Sequence, residues 1–280
     1  MKQHTLKHNH VFFGTGLHTG RPVMMVLQPA PADFGIRFCR TDLRHNPEVP
    51  ARAAFVGKTR RSTSLKCGGA RVVTPEHLLS TLSCMGVDNA RILIDAPEVP
   101  ILDGSASQYA AAIAEDGLEE QDREREFLVV DRTFTCEDPK SGSRIVIEPF
   151  DGFQVELTID FKSKVIGRQT VRYDSSVDFA REIAPCRTFC FYNEVRLLRL
   201  TGLIKGGSLD NALVVDDARG GFVGDPRLYF PDEPARHKLL DLLGDFSLAG
   251  RPVRARVTAY KPGHAINTKA IKQLTAAYTK

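Results

Sequence analysis

Apolar positions recur along this chain with two different periods. Alternation, or a short apolar run bounded by turn residues, marks strand candidates at 23–27, 36–40 and 90–94, and again at 144–147, 153–160, 169–173 and 253–260. The period lengthens to that of a helix at Leu78, Leu79, Leu82 and Met85, and at Leu239, Leu240, Leu242, Leu243 and Phe246. Thr74 is placed to cap the first of these helices and Pro75 to open it without losing a hydrogen bond, while Gly86 ends it. Further helical stretches are expected at 106–114 and 268–277.

The order of these elements repeats. Glu76-His77 opens a helix followed by Gly86, a strand, a turn ending at Gly104 and a second helix. His237, near another helix start, is followed in the same order by Gly250, a strand, the Pro262-Gly263-His264 turn and a further helix. The charged run Glu119-Glu120-Gln121-Asp122-Arg123-Glu124-Arg125-Glu126 reads as a solvated linker between the halves. The expected fold class is α+β, two domains of the same two-layer sandwich plan produced by internal duplication, spanning 1–120 and 127–280. Helix–strand units are common, so a chance likeness of the halves competes with duplication.

Composition narrows the class of protein without choosing a function. The 280 residues are 42% hydrophobic and 26% charged, an ordinary balance for a globular chain. The net charge of +4 suits an anionic ligand such as a nucleotide or phosphate and is too small to argue for nucleic acid. No run approaches the roughly 18 apolar residues of a membrane span, and residues 1–10 carry no apolar signal-peptide core. The six cysteines lack C-x-x-C spacing and are expected as free thiols in a reducing compartment.

Candidate chemistry gathers at the two repeated helix starts. His237 and Asp241 lie one turn apart on one helix face, and Asp245 extends that stripe by another turn. His77, His237 and Asp241 together offer two imidazoles and a carboxylate, the ligand count of a catalytic zinc that keeps a position open for water. Glu76, beside a ligand, is placed to act as general base, as the glutamate does in H-E-x-x-H sites, although neither that motif nor its inverse is present. His264 is a candidate general acid, with Asp245 a candidate to orient it. From spacing alone, a solvent-facing stripe explains His237, Asp241 and Asp245 equally well, and a surface histidine explains His264. His18, inside Gly16-Leu17-His18-Thr19-Gly20, is a turn residue within reach of a ligand.

Several of these motifs coincide with those of one family. The chain resembles the UDP-3-O-acyl-N-acetylglucosamine deacetylases, zinc amidases of lipid A synthesis, in Gly16-Leu17-His18-Thr19-Gly20, Thr74-Pro75-Glu76-His77-Leu78 and Ala96-Pro97-Glu98-Val99-Pro100-Ile101-Leu102-Asp103-Gly104-Ser105. The likeness continues in order through Arg187-Thr188-Phe189, Gly206-Gly207-Ser208, Arg236-His237-Lys238-Leu239-Leu240-Asp241, Gly244-Asp245 and Ala259-Tyr260-Lys261 to Gly263-His264-Ala265, covering about residues 5–273. It departs at Pro75, Pro262 and Thr268, where the family more often has other residues.

The resemblance implies two domains of one plan with the metal site between them. It implies one Zn2+ per chain on His77, His237 and Asp241, with Glu76 as base and His264 as the acid that protonates the leaving amine, Asp245 beside it. Thr188 matches a hydroxyl that stabilises the oxyanion, and Phe189, Lys238 and Phe161 match positions lining the sugar-nucleotide site, to which His18 is added as a substrate contact. An apolar insert near 188–215 is implied to take the acyl chain. A bell-shaped pH profile follows from such a base and acid. The implied setting is the cytoplasm of a Gram-negative-type bacterium, as a monomer with no nucleic-acid partner and at most peripheral membrane association. Two other readings use the same residues: a non-catalytic sugar-nucleotide or lipid-binding protein with structural zinc, and a zinc amidase for another N-acyl sugar. A structural zinc needs neither base nor acid and usually recruits cysteine, which none of these motifs adjoins.

Overall fold

The structure is a computed structural model describing residues 1–278. The first half begins with β1 (Lys2–Leu6), β2 (His10–Thr15), β3 (Pro22–Pro29), β4 (Ile36–Arg40) and β5 (Glu48–Pro50). The hairpin β6 (Ser64–Cys67) and β7 (Ala70–Val73) follows, then α1 (Glu76–Cys84), β8 (Ala90–Ile94), α2 (Ser107–Asp116) and β9 (Leu118–Glu124). Alternation builds the main sheet: Val23, Met25 and Leu27 of β3 and Ala90, Ile92 and Ile94 of β8 are buried between outward-facing neighbours. Its strand order is β2-β3-β8-β4-β5, antiparallel except where β4 meets β8.

The second half runs through β10 (Leu128–Val129), β11 (Phe134–Asp138), β12 (Ser143–Glu148), β13 (Phe153–Asp160), β14 (Arg168–Tyr173) and α3 (Phe179–Glu182). Next come β15 (Phe189–Phe191), α4 (Tyr192–Leu200), β16 (Leu213–Asp216) and β17 (Gly221–Phe222), and then α5 (Glu233–Ser247), β18 (Val253–Tyr260) and α6 (His264–Ala277). The main path here is β11-β12-β18-β13-β14, antiparallel except where β13 meets β18, with β10 added parallel to β18. The two paths share one order. Each sets a hairpin beside the strand that follows α1 or α5, and then a second hairpin whose first strand runs parallel to that strand.

The helices join the halves. Leu78, Leu79 and Leu82 of α1 and Leu239, Leu240, Leu242 and Leu243 of α5 enter one continuous apolar core, which also takes in both sheets. The two helices touch backbone to side at Gly244, where a Cβ would stand only 2.1 Å from the Glu76 carbonyl oxygen. Burying this much apolar surface fixes the crossing of α1 on α5, and with it everything the two helices carry.

Three local expectations change. Thr74 does not cap α1: it has φ of 57°, and its hydroxyl donates to Glu98 Oε1 at 3.0 Å, leaving Pro75 at the cap position. The charged run is strand β9 rather than a linker, because β1 supplies its backbone partners and Lys2 pairs with Asp122 and Glu124. Exposed charges of this kind suit a strand at a sheet edge. Finally, His264 is the first residue of α6 rather than part of the preceding turn. The insert forms a small sheet of β15, β16 and β17 with α4 against it. Leu198, Leu213 and Val215 are buried there, while Leu197 and Leu200 are 62% and 75% exposed.

Candidate metal centre and active site

The crossing helices carry the ligand set. The first turn of α1 presents Glu76 and His77, and α5 presents His237, Asp241 and Asp245 at successive turns. The polar stripe of α5 faces inward: His237 is 1% exposed, Asp241 2% and Asp245 0%. One ligand atom each from His77, His237 and Asp241 lie within 4.8 Å of one another. Nε2 of His77 and of His237 stand 3.6 and 3.5 Å from Asp241 Oδ1. A tetrahedral ion with bonds of about 2.0–2.1 Å holds its ligand atoms roughly 3.3–3.4 Å apart, so this donor set fits an ion of zinc's size.

The surroundings prepare these groups to ligate. His237 Nδ1 lies 3.0 Å from the Cys186 carbonyl oxygen. Nδ1 therefore carries the proton, and the lone pair on Nε2 faces the other ligands. Burial drives the His237 pKa down to about 3 against the attraction of Asp241, which keeps the ring neutral. Burial alone would raise Asp241, but Lys238, His237 and His264 hold it well below the carboxylate range. The nearest of these contacts is Lys238 Nζ, donating to Asp241 Oδ2 at 2.6 Å.

A carboxyl and an imidazole adjoin the candidate ligands. His264 Nε2 stands 3.6 Å from Glu76 Oε1 and 3.7 Å from Asp241 Oδ2. On its other side, His264 Nδ1 meets Asp245 Oδ2 at 3.0 Å. Asn267 Nδ2 donates to the same oxygen at 2.9 Å, and Thr63 Oγ1 donates to Asp245 Oδ1 at 2.5 Å. The hydroxyl of Thr268 donates to the His264 carbonyl oxygen at 2.5 Å, anchoring the start of α6. Burial pushes the Glu76 carboxyl up to about 7, moderated by His264 and His77. For His264 burial works downward, yet Asp245, Glu76 and Asp241 prevail and lift it to about 9.

Glu76, His77, His237, Asp241 and His264 line a cleft of about 370 Å³ together with His18, Thr188, Phe189 and Lys238. Thr188 is fixed by its main chain, whose N–H donates to the Gly104 carbonyl and whose carbonyl accepts from Leu213 N, both at 2.8 Å. His18 donates its amide N–H to Glu98 Oε1 at 2.8 Å. Lys238 Nζ lies 5.6 Å from the centroid of the Phe189 ring. Phe161 is set back from the cleft walls, its ring 5.7 Å from that of Phe189 and 5.5 Å from that of Phe191.

Three contributors escaped sequence reasoning. Ser62-Thr63-Ser64 reads as a polar turn, and no spacing relates Thr63 to the residues it touches. Glu98 is 0% exposed and accepts from His18 N, Thr19 N and Thr74 Oγ1, so it shapes the Gly16–Gly20 turn from far along the chain. Asn267 was within reach of inference, since it follows His264 by one helical turn once α6 is known to start there.

Three converging ligands, a buried carboxyl beside them and an imidazole steadied by a second carboxyl form the constellation used by metal-dependent hydrolases. The profile of the UDP-3-O-acyl N-acetylglycosamine deacetylase family matches residues 3–276. The chain belongs to this deacetylase family. It is 45% identical to the UDP-3-O-acyl-N-acetylglucosamine deacetylase of an Anaeromyxobacter species, over 94% of this chain and 85% of that one. It is 44% identical to the enzyme of that name from Saccharophagus degradans, over 98% and 90% of the two chains. The bifunctional enzyme LpxC/FabZ of Chlorobaculum tepidum is 39% identical over 97% of this chain, which spans only 64% of that longer protein.

Proposed function

We propose that this chain hydrolyses the N-acetyl group of UDP-3-O-acyl-N-acetylglucosamine, releasing acetate and leaving a free 2-amine, as a step of lipid A synthesis. The observation that carries this reading is the approach of Glu76 and His264 to 3.6 Å of each other beside three buried ligands. A purely structural site has no use for such a pair. In this reading zinc is the ion, one per chain, held by His77, His237 and Asp241. When bound, it supplies Lewis acidity toward the acetyl carbonyl and makes water acidic enough to serve as nucleophile at neutral pH.

The remaining work falls to side chains. Glu76 takes the proton of the attacking water, and the Thr188 hydroxyl, on the cleft wall, donates to the oxyanion that develops on the carbonyl. His264 delivers a proton from Nε2 to the departing nitrogen, held in aim by Asp245 at Nδ1. Phe189, Lys238 and His18, with Phe161 behind them, receive the sugar nucleotide, and the 188–215 insert takes the acyl chain.

We read the chain as two domains, 1–120 and 127–280, related by duplication, which the common strand order of the two sheets supports. The origin of His77 in one and of His237 and Asp241 in the other supports a metal site between them. A cytoplasmic monomer of a Gram-negative-type bacterium fits this reading. Among the described residues no helix is long and apolar enough to cross a membrane. The test pairs elemental analysis with acetate release for wild type and Glu76→Ala. One zinc in both proteins, with turnover lost only in the variant, is expected. A wild type without metal, or a fully active variant, overturns the reading.

A further inference from the structure

Thr63, which immediately precedes β6, is 1% exposed and lies outside the motifs discussed so far. Its polar atoms nevertheless converge on the acid–base apparatus. Its amide N–H donates to Glu76 Oε2 at 3.3 Å, and its hydroxyl donates to Asp245 Oδ1 at 2.5 Å. The same hydroxyl oxygen lies 3.3 Å from His264 Nδ1, and the Thr63 carbonyl accepts from Thr74 N at 3.0 Å. We infer that Thr63 is a positioning residue that sets the base Glu76 and the acid His264 in register across the two halves of the chain, an inference that rests on the deacetylase reading.

The two oxygens of Asp245 divide their work. Oδ2 takes His264 Nδ1 and Asn267 Nδ2, while Oδ1 takes Thr63. A carboxylate held at one oxygen pivots about its terminal torsion, which is broad for this side chain, and a ring bonded to it pivots too. Held at both oxygens, it fixes the imidazole. The Thr63 oxygen, with its own hydrogen given to Asp245, also offers a lone pair toward Nδ1–H, so that one N–H is shared between two acceptors. Partners of this kind, one bond removed from the reacting groups, typically change activity by about 10–100-fold when deleted.

Thr63→Val removes the hydroxyl at nearly constant volume, and Thr63→Ser keeps it while losing the methyl. Both preserve the amide N–H that reaches Glu76. The expected result is a kcat lower by about 10–100-fold for Thr63→Val, with KM, zinc content and melting temperature near wild type and Thr63→Ser close to wild type in rate. In an Asp245→Asn background the valine substitution is expected to add a smaller further loss, because the shorter of the hydroxyl's two contacts is to that carboxylate. Full activity of Thr63→Val overturns the inference, as does equal loss in the serine variant or an undiminished effect in the Asp245→Asn background. Thr63→Ala carries the same expectation should the valine variant fail to fold, and failure of both to fold marks the residue as structural and overturns it too. A wild type that releases no acetate from UDP-3-O-acyl-N-acetylglucosamine refutes the deacetylase reading instead, a separate outcome.

Discussion

Glu76 and His264 are both almost fully buried, and both have raised pKa values, for different reasons. Burial pushes the carboxyl up to about 7, offset only in part by His264 and His77, whereas Asp245, Glu76 and Asp241 lift the imidazole to about 9 against its burial. In the proposed reading Glu76, as base, is active when ionised and His264, as acid, when protonated. Activity is therefore expected to rise with pH as Glu76 loses its proton and to fall as His264 loses its own. A bound cation lowers both, so the limbs should lie at or below about 7 and about 9. His264→Gln should abolish the falling limb while keeping the rising one, and a falling limb that survives the substitution would reassign the acid. At this scale the sequence was informative about spacing and silent about direction. The i, i+4, i+8 relation of His237, Asp241 and Asp245 puts them on one face, but only tertiary packing decides whether that face meets water or Glu76.

Among the elements, the contact between α1 and α5 is the most consequential. Gly244 lets α5 approach until its backbone nearly touches the Glu76 carbonyl, and a Cβ 2.1 Å from that oxygen forces the helices apart. Gly244→Ala should destabilise the fold by about 1–3 kcal/mol or more, as overpacking of a fixed contact does. It should also weaken zinc retention, because the displaced turn carries both Glu76 and His77. Denaturant unfolding and zinc content together check this, and wild-type values for both would show that the crossing is slack. Elements whose character is set locally were legible. The segments 36–40, 90–94, 153–160 and 253–260 form strands at the expected bounds, because β-branched and apolar residues alternate there between turn signals. Strand β9 was not legible. Its charged residues resemble a linker, and its partner β1 lies at the far end of the first half. Thr74 misled for a related reason, since Glu98 outcompetes the backbone of α1 for its hydroxyl.

For the molecule as a whole, an ion held as proposed by His77, His237 and Asp241 would act as a fastening between the two halves of the chain. An ion that binds the folded chain and not the unfolded one adds stability in proportion to the logarithm of one plus its concentration over its dissociation constant, about 2.7 kcal/mol at a hundredfold excess. For a chain of this size that corresponds to a melting temperature roughly 5–10 °C higher. Dialysis against a chelator should remove that increment and readdition of zinc restore it, as followed by scanning calorimetry. A melting temperature indifferent to both would dissociate the three ligands from the joining of the halves. The repeated architecture could be anticipated from the order of helix, glycine, strand, turn and helix. The shared strand order could not, because nothing local specifies which strand of a hairpin will lie beside β8 or β18.

The place of β18 has a bearing on how the protein is made. It stands between β12 and β13, and it alone connects the two hairpins of the second sheet. A ribosome must therefore complete both hairpins, and all three metal ligands, before it synthesises the strand that unites them. His264 emerges after that strand. During synthesis the chain thus passes through a stage in which it holds every proposed ligand and the proposed base but not the proposed acid. Closure of the sheet and arrival of the acid come in the same short stretch of translation, so the molecule acquires its shape and its chemistry together.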